Sequence, residues 1–364
     1  MIIDGHSHAF PHLGQANGFP TLKDHMDSFQ IHSINHQAGH VETKTRRKIT
    51  EDTLSDGTGK GMSSLLDVNF RVGKYGRFQW TKDGVEYHMQ WASPSMMDMS
   101  APPEWTVAMM DNIGVDKAML HNARAYGLLN EYLAECVAKF PDRLAGSAQV
   151  REWICDTDSE IEDLRRYVND LGLRALHFQN EGFFEYDFRD NLDDAKFTPF
   201  WEEVQRLGIP ILWNIRPTAG PRKASYLDQV RRLGVWAKRW PQIPSVFTHG
   251  FFITLFADAR GKVTVPDELW DTVAHDNMFF ELLIPTMSGG IWDYPFPEGQ
   301  EVVKAFYKRL GASKIHWASD IPAAERVCTY RQSLDYLRRY CDFISPGDMD
   351  KILGTNAAKL FGLA

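Results

Sequence analysis

EIEDLRRYVNDLG at residues 160–172 runs straight into LRALHF at 173–178, and this junction decides the fold. The first segment spaces its apolar residues at close to 3.6, the period of a helix with one face on a core. Gly172 stands where a left-handed residue would end that helix. The second segment is an apolar run of strand length. The same pair recurs outward in both directions. FTPFWEEVQRLG (197–208) precedes IPILWNI (209–215), and VRRLGVWAKRW (230–240) precedes PSVFTH (244–249). DELWDTVAHDN (267–277) precedes MFFELLI (278–284), and EVVKAFYKRLG (301–311) precedes KIHWAS (314–319). Upstream, LLNEYLAECVAKF (128–140) and Pro141 precede RLAGSAQV (143–150), and VDKAML (115–120) follows a break at Gly114. Met1 to Ile3 supply an opening strand that ends at Asp4. Strands alternating with helices build a parallel sheet, and eight of them predict an α/β fold closed as a (β/α)8 TIM-like barrel. Periodicity alone also permits an open, doubly wound sheet. GTGKG (57–61) lacks the spacing of a phosphate-binding loop.

One barrel accounts for all 364 residues, so residues 1–364 read as a single domain. The rhythm breaks once. Between the first strand and Glu104 lies a stretch far longer than an ordinary βα loop, and residues 11–103 read as an insert. Within it RVGKYGRFQW and VEYHMQW flank Thr81-Lys82-Asp83-Gly84, a β-hairpin signal. In a barrel this insert leaves the rim where catalysis occurs, so it is expected to act as a lid or to shape the substrate pocket. The hydrophobic fraction of 43% and charged fraction of 24% are those of a folded globular chain. A net charge of −8 and a pI near 5.9 argue against a nucleic-acid partner. No window reaches the length of a membrane span, and MIIDGHSHAF does not read as a secretory signal. Cys136, Cys155, Cys328 and Cys341 lack CxxC spacing and suit reduced thiols. A cytoplasmic location, a small-molecule substrate and no membrane partner are the expectations.

The strongest chemical signal is Asp4-Gly5-His6-Ser7-His8. Two residues apart on a strand, His6 and His8 point to the same side, and two neutral imidazoles there make half of a transition-metal site. His249 closes PSVFTH, and Asp320 lies just past KIHWAS. In a parallel barrel these four side chains converge on one mouth from three strands.

DGHSHAF, GVDKAML, FPDRLAG, THG, ASDIP and the closing ISPGDMDKILGTNAAKLFGL together resemble the amidohydrolase superfamily of metal-dependent enzymes. Within it the chain resembles the branch of aminocarboxymuconate-semialdehyde decarboxylase, with its related aromatic-acid decarboxylases, C–C hydrolases and hydratases. The likeness covers nearly the whole chain except the hairpin insert. It implies that His6 and His8 bind one divalent metal ion, zinc first and manganese or iron next. It implies that Asp320 binds that ion or takes a proton from its water, and that His249 acts as acid/base or polarises the substrate. The departure is on the fifth strand, where members usually carry a metal-binding histidine and this chain has Asn214. An amide oxygen is a weak ligand for zinc, so the ion is held loosely, by a substitute, or not at all. His177 and Glu281 are the candidate substitutes, and a buried Glu281 needs a cation or donor. Arg216 reads equally as a bidentate clamp on a substrate carboxylate, beside Asn214, and as a structural ion pair.

Seven histidines fall within the first forty residues. His32, His36 and His40 would align on one helical face, but no apolar stripe accompanies them, and a solvated segment is expected. Phe78, Trp80, Tyr87 and Trp91 read either as packing for the hairpin or as cover for an aromatic substrate, with Trp80 a substrate-binding candidate. The ligand set permits hydrolysis of a C–N, ester or C–C bond and also decarboxylation of an aromatic or muconate-type acid. An intact His-x-His with a free Asp suits water activation, so a hydrolase is the leading expectation, a decarboxylase the alternative, and a metal-free binding protein the third. A homodimer is expected by analogy with relatives.

Overall fold

The computed structural model describes residues 1–363 apart from residues 35, 37, 60, 219, 220 and 289. Eight parallel strands pair in sequence order: β1 (Ile3–Ser7), β2 (Lys117–Leu120), β3 (Leu144–Ala148), β4 (Ala175–Gln179), β5 (Ile211–Asn214), β6 (Ser245–Phe247), β7 (Met278–Leu282) and β8 (Ile315–Trp317). Each of the eight runs expected from the sequence overlaps one of them. The ring is drawn together where β1 meets the chain leaving β8. The Asp320 N–H donates to the His6 carbonyl at 2.8 Å, and the His8 N–H donates to the Ile321 carbonyl at 2.9 Å.

Alternation along each strand sorts side chains between two environments. On β5, Trp213 faces the outer helices and joins Trp201, Trp236 and Phe178 in a fully buried aromatic cluster. Leu212 faces inward and meets Ile3, Met119, Ala145, Ala175 and Val246 from five other strands. This apolar layer is sealed from below by the C-terminal helix Asn356–Phe361, through Ala357, Ala358 and Phe361. Above it the interior turns polar: His6, His177, Glu281 and His316 are buried on β1, β4, β7 and β8.

β1 extends four residues beyond the expected boundary at Ile3, so His6 lies inside the strand. Its register against β2 slips between Asp4 and Ser7. Such a bulge re-aims side chains, and it turns His6 into the barrel on the same strand that already points Ile3 inward. Gly5 permits the close approach of β8: a Cβ there would lie 2.4 Å from the His316 ring.

The insert forms the helix Leu22–Ile34 and a five-stranded antiparallel sheet. Its central hairpin pairs Arg77–Lys82 with Val85–Gln90. Asp83 (φ 52°) and Gly84 (φ 75°) make the two-residue turn, whose left-handed pair matches the twist of the strands. Among the described residues no helix is long and apolar enough to cross a membrane.

Candidate metal centre and pocket

His6 and His8 converge from the end of β1, their Nε2 atoms 3.1 Å apart. Asp320 Oδ1 lies 3.0 Å from His8 Nε2 and 3.7 Å from His6 Nε2. The far nitrogens fix what these atoms are. His6 Nδ1 faces Glu281 Oε2 at 2.9 Å, and His8 Nδ1 faces the His121 carbonyl at 2.9 Å. Both partners only accept, so each Nδ1 carries the proton and each Nε2 presents a lone pair. Burial, and then the neighbouring His8, His177 and His316, hold His6 well below the ordinary imidazole range, so it is neutral. Two lone pairs and a carboxylate oxygen thus point at one another in a buried space. Without a cation this arrangement is repulsive; with a divalent ion it supplies three ligands and the outer hydrogen bonds that orient them. The donor set fits the metal.

Glu281 stands behind this cluster. Its Oε2 accepts from His6 Nδ1 and, at 2.6 Å, from the His249 backbone N–H. The position is that of the carboxylate in a carboxylate–histidine–metal relay. His177 sits deeper in the barrel, its ring centre 6.4 Å from that of His6 and 5.1 Å from that of His121. Among the described residues neither of its buried ring nitrogens has a hydrogen-bond partner, and burial, then His8, push its pKa down to about 3. His121, just past β2, stacks on His6 with ring centres 3.5 Å apart and holds the Gly5 carbonyl through Nε2 at 2.9 Å. Its place directly after a strand end was a signal that sequence reading left unused.

His249 and Asp320 follow β6 and β8 by two and three residues, in left-handed conformations of φ 63° and 62°. Such conformations are costly for non-glycine residues and concentrate at functional sites. Here they turn both side chains onto one pocket at the barrel mouth. His8, Asn214 and Arg216 line the same pocket, with Arg326 from the loop after β8 and Tyr126 from that after β2. Burial, and then His6, hold His249 well below the ordinary range, so its imidazole is neutral. Arg216 makes the ion pair of its structural reading. Its Nε donates to Glu181 Oε1 at 3.1 Å, while a second guanidinium nitrogen is buried with no partner among the described residues.

Two expectations fail. The histidine-rich segment is not solvated: His25 and His32 are buried, and His32 and His36 wall the pocket beside Trp91. His40 Nε2 bonds the Ser33 carbonyl at 2.9 Å. Trp80 does not reach the pocket. It is fully buried inside the insert, its Nε1 donating to Thr53 at 3.1 Å and its ring packed on Phe70 and Tyr87. Phe78 packs there too, against Phe29. Trp91 is the insert tryptophan that lines the pocket.

A family model described as Amidohydrolase matches residues 3–363. This chain belongs to the amidohydrolase family. It is 39% identical over 84 residues to a gamma-resorcylate decarboxylase of Rhizobium sp. (strain MTP-10005), covering 22% of this chain and 24% of that protein. It is 25% identical over 212 residues to the 2-amino-3-carboxymuconate-6-semialdehyde decarboxylase of Dictyostelium discoideum, covering 48% of this chain and 57% of that one. These alignments span about a quarter and just over half of the two relatives' lengths. Among solved structures, a probable 2-pyrone-4,6-dicarboxylic acid hydrolase from Acinetobacter baumannii superposes with a TM-score of 0.58 at 16% identity, covering 73% of this chain and 90% of the other. At that identity the likeness is one of fold.

Proposed function

We propose that this amidohydrolase-family chain is a metal-dependent decarboxylase acting on a small aromatic or muconate-type acid. The observation that carries the reading is the meeting of His6 Nε2, His8 Nε2 and Asp320 Oδ1 beneath a pocket walled by Arg216 and Arg326. A cation and two guanidinium groups favour an anionic ligand. Trp91 and Phe252 supply flat apolar surface for a ring. The decarboxylase relatives weigh the same way.

A bound divalent ion, zinc in this reading, supplies charge that anchors and polarises the substrate's oxygen atoms. His6, His8 and Asp320 would hold it, with Glu281 and the His121 carbonyl orienting the two imidazoles. Arg216, already aligned by Glu181, presents its free guanidinium edge to a substrate anion. His249, neutral and backed by Thr248 Oγ1 at 3.1 Å, is placed to exchange a hydrogen bond with the bound acid.

The test is purified protein assayed for metal content, then incubated with dihydroxybenzoates while CO2 is measured. About one equivalent of metal, lost on His6→Ala, together with CO2 release supports the reading. Turnover of an ester, lactone or amide without CO2 makes the chain a hydrolase. Tight ligand binding with no metal makes it a binding protein.

A further inference from the structure

The insert places a second histidine–carboxylate pair at the pocket. His32, on the helix Leu22–Ile34, has Nδ1 2.7 Å from Glu181 Oε2. Glu181 follows β4, 149 positions along the chain from His32, and its other oxygen accepts from Arg216 Nε at 3.1 Å. Both members of the pair are buried. Burial raises the Glu181 carboxyl, but Arg216 and then His32 outweigh it and bring its pKa down to about 2. An ionised Glu181 requires the proton on His32 Nδ1, which fixes the tautomer and leaves Nε2 as the atom free to exchange a proton. His32 lines the same pocket as His8, Asp320 and His249. A base oriented by a carboxylate and set in a substrate cavity is the arrangement of a proton-transfer residue. Nothing in the barrel's metal cluster requires this pair.

We propose that His32, aligned by Glu181, is the proton donor to the substrate carbon that loses its carboxyl group. This rests on the decarboxylase reading. In the step, the bond between the ring carbon and the carboxylate carbon breaks, and its electron pair stays on the ring carbon. The carboxylate leaves as CO2, the proton on His32 Nε2 passes to that carbon, and solvent returns a proton to His32. The imidazolium form is the donor, balanced by the Glu181 carboxylate. The groups that set its titration are Glu181 after β4, Arg216 after β5, Asp320 after β8 and His36 on its own segment. Burial, then Arg216, pull its pKa below the ordinary value, and Glu181 opposes them.

The experiment is the pH profile of CO2 release from a dihydroxybenzoate for wild type, His32→Gln and Glu181→Gln. In the wild type kcat falls as pH rises through the His32 titration. His32→Gln lowers kcat by about 100-fold or more, the usual share of a positioned acid, removes that alkaline limb and leaves KM within a few-fold. Glu181→Gln moves the limb to lower pH, since the carboxylate favours the imidazolium. A separate readout is imidazole 15N NMR of metal-loaded wild type, with the His32 resonances assigned by their loss in His32→Gln. An unreactive nitro analogue of the acid shifts the Nε2 signal. If the wild type releases CO2 while His32→Gln keeps kcat within threefold and the same profile, the assignment is overturned. A bound analogue that leaves the Nε2 signal unmoved overturns it too. Should His32→Gln not fold, an unmoved limb in Glu181→Gln overturns it. A wild type that releases no CO2 overturns the decarboxylase reading, and this assignment with it.

Discussion

Replacing Glu281 by Gln tests whether the carboxylate behind His6 tunes the metal centre. The wild-type carboxylate accepts from His6 Nδ1 at 2.9 Å and from the His249 N–H at 2.6 Å. Hydrogen bonds to a charged acceptor contribute about 1.5–3 kcal/mol each, against about 0.5–1.5 kcal/mol for neutral pairs. The glutamine carbonyl retains the shape and one acceptor atom, so about 1–2 kcal/mol is lost on the His6 side alone. The lost charge also makes His6 Nε2 a poorer donor to a cation. Outer-partner substitutions of this kind weaken metal binding about 10- to 100-fold, or about 1.4–2.7 kcal/mol. Competition with a fluorescent zinc chelator at pH 7.5 reads the affinity directly, and far-UV circular dichroism of the metal-free protein checks that the fold survives. A folded Glu281→Gln protein whose zinc affinity stays within threefold of wild type refutes the relay: Glu281 would then serve only the backbone turn at His249.

The other expectations are checked more simply. Asn214→His restores an imidazole at the end of β5, in the same pocket as His8 and Asp320, and should slow metal loss to a chelator about tenfold or more; an unchanged rate means that the end of β5 does not reach the ion. Gly5→Ala drives a Cβ to 2.4 Å from the His316 ring and should cost about 1–3 kcal/mol of stability in denaturant unfolding, as overpacking does, while an unchanged midpoint would show that the ring moves aside. Trp213→Ala empties the centre of the aromatic cluster and should cost about 3–5 kcal/mol, read as a lowered midpoint or as insoluble protein. Glu181 titrates at about 2 in the folded chain against an ordinary 4.5. Its stabilising contribution is therefore complete above pH 4.5 and lost as pH falls towards 2, about 3 kcal/mol in all. Unfolding midpoints at pH 7, 4.5 and 3 should show a steeper acid loss in wild type than in Glu181→Gln, and equal slopes would count against the pairing.

The barrel was legible because each of its units obeys a local rule. Strand-length apolar runs follow helices of period 3.6, and Gly172 and Gly208 stand where left-handed residues are needed, at φ 68° and 67°. The strand-end rule then located His6, His8, His249 and Asp320 with no knowledge of contacts. The same rule was open to His121 after β2 and Glu181 after β4, but other parts of the site obey no local rule. The slip in β1 that turns His6 inward is set by pairing with β2, and Gly5 is required by a ring on β8.

The histidine-rich helix shows why pattern reading fails at a functional surface. The test for a buried helix is an apolar stripe, and residues 33–39 between His32 and His40 have none, whereas the helix ends at Ile34 and buries His25, Ser28, Gln30, His32 and Ser33 beside Met26, Phe29 and Ile31. Each polar side chain whose partner is distant is invisible to that test. His25 bonds the Ala125 carbonyl, Gln30 the Leu54 and Leu66 carbonyls, and His32 the Glu181 carboxylate. Burying such groups costs free energy unless every partner is in place. A segment of this composition therefore reads as solvated until the barrel supplies acceptors for it. The same bonds that hide it from sequence analysis anchor it to the barrel mouth. It follows that the insert and the mouth should lose order together: Glu181→Gln should raise hydrogen exchange in residues 22–34 as well as in the loop after β4. Exchange that rises in the loop alone would mean that the helix is held by its apolar contacts and not by this polar seam.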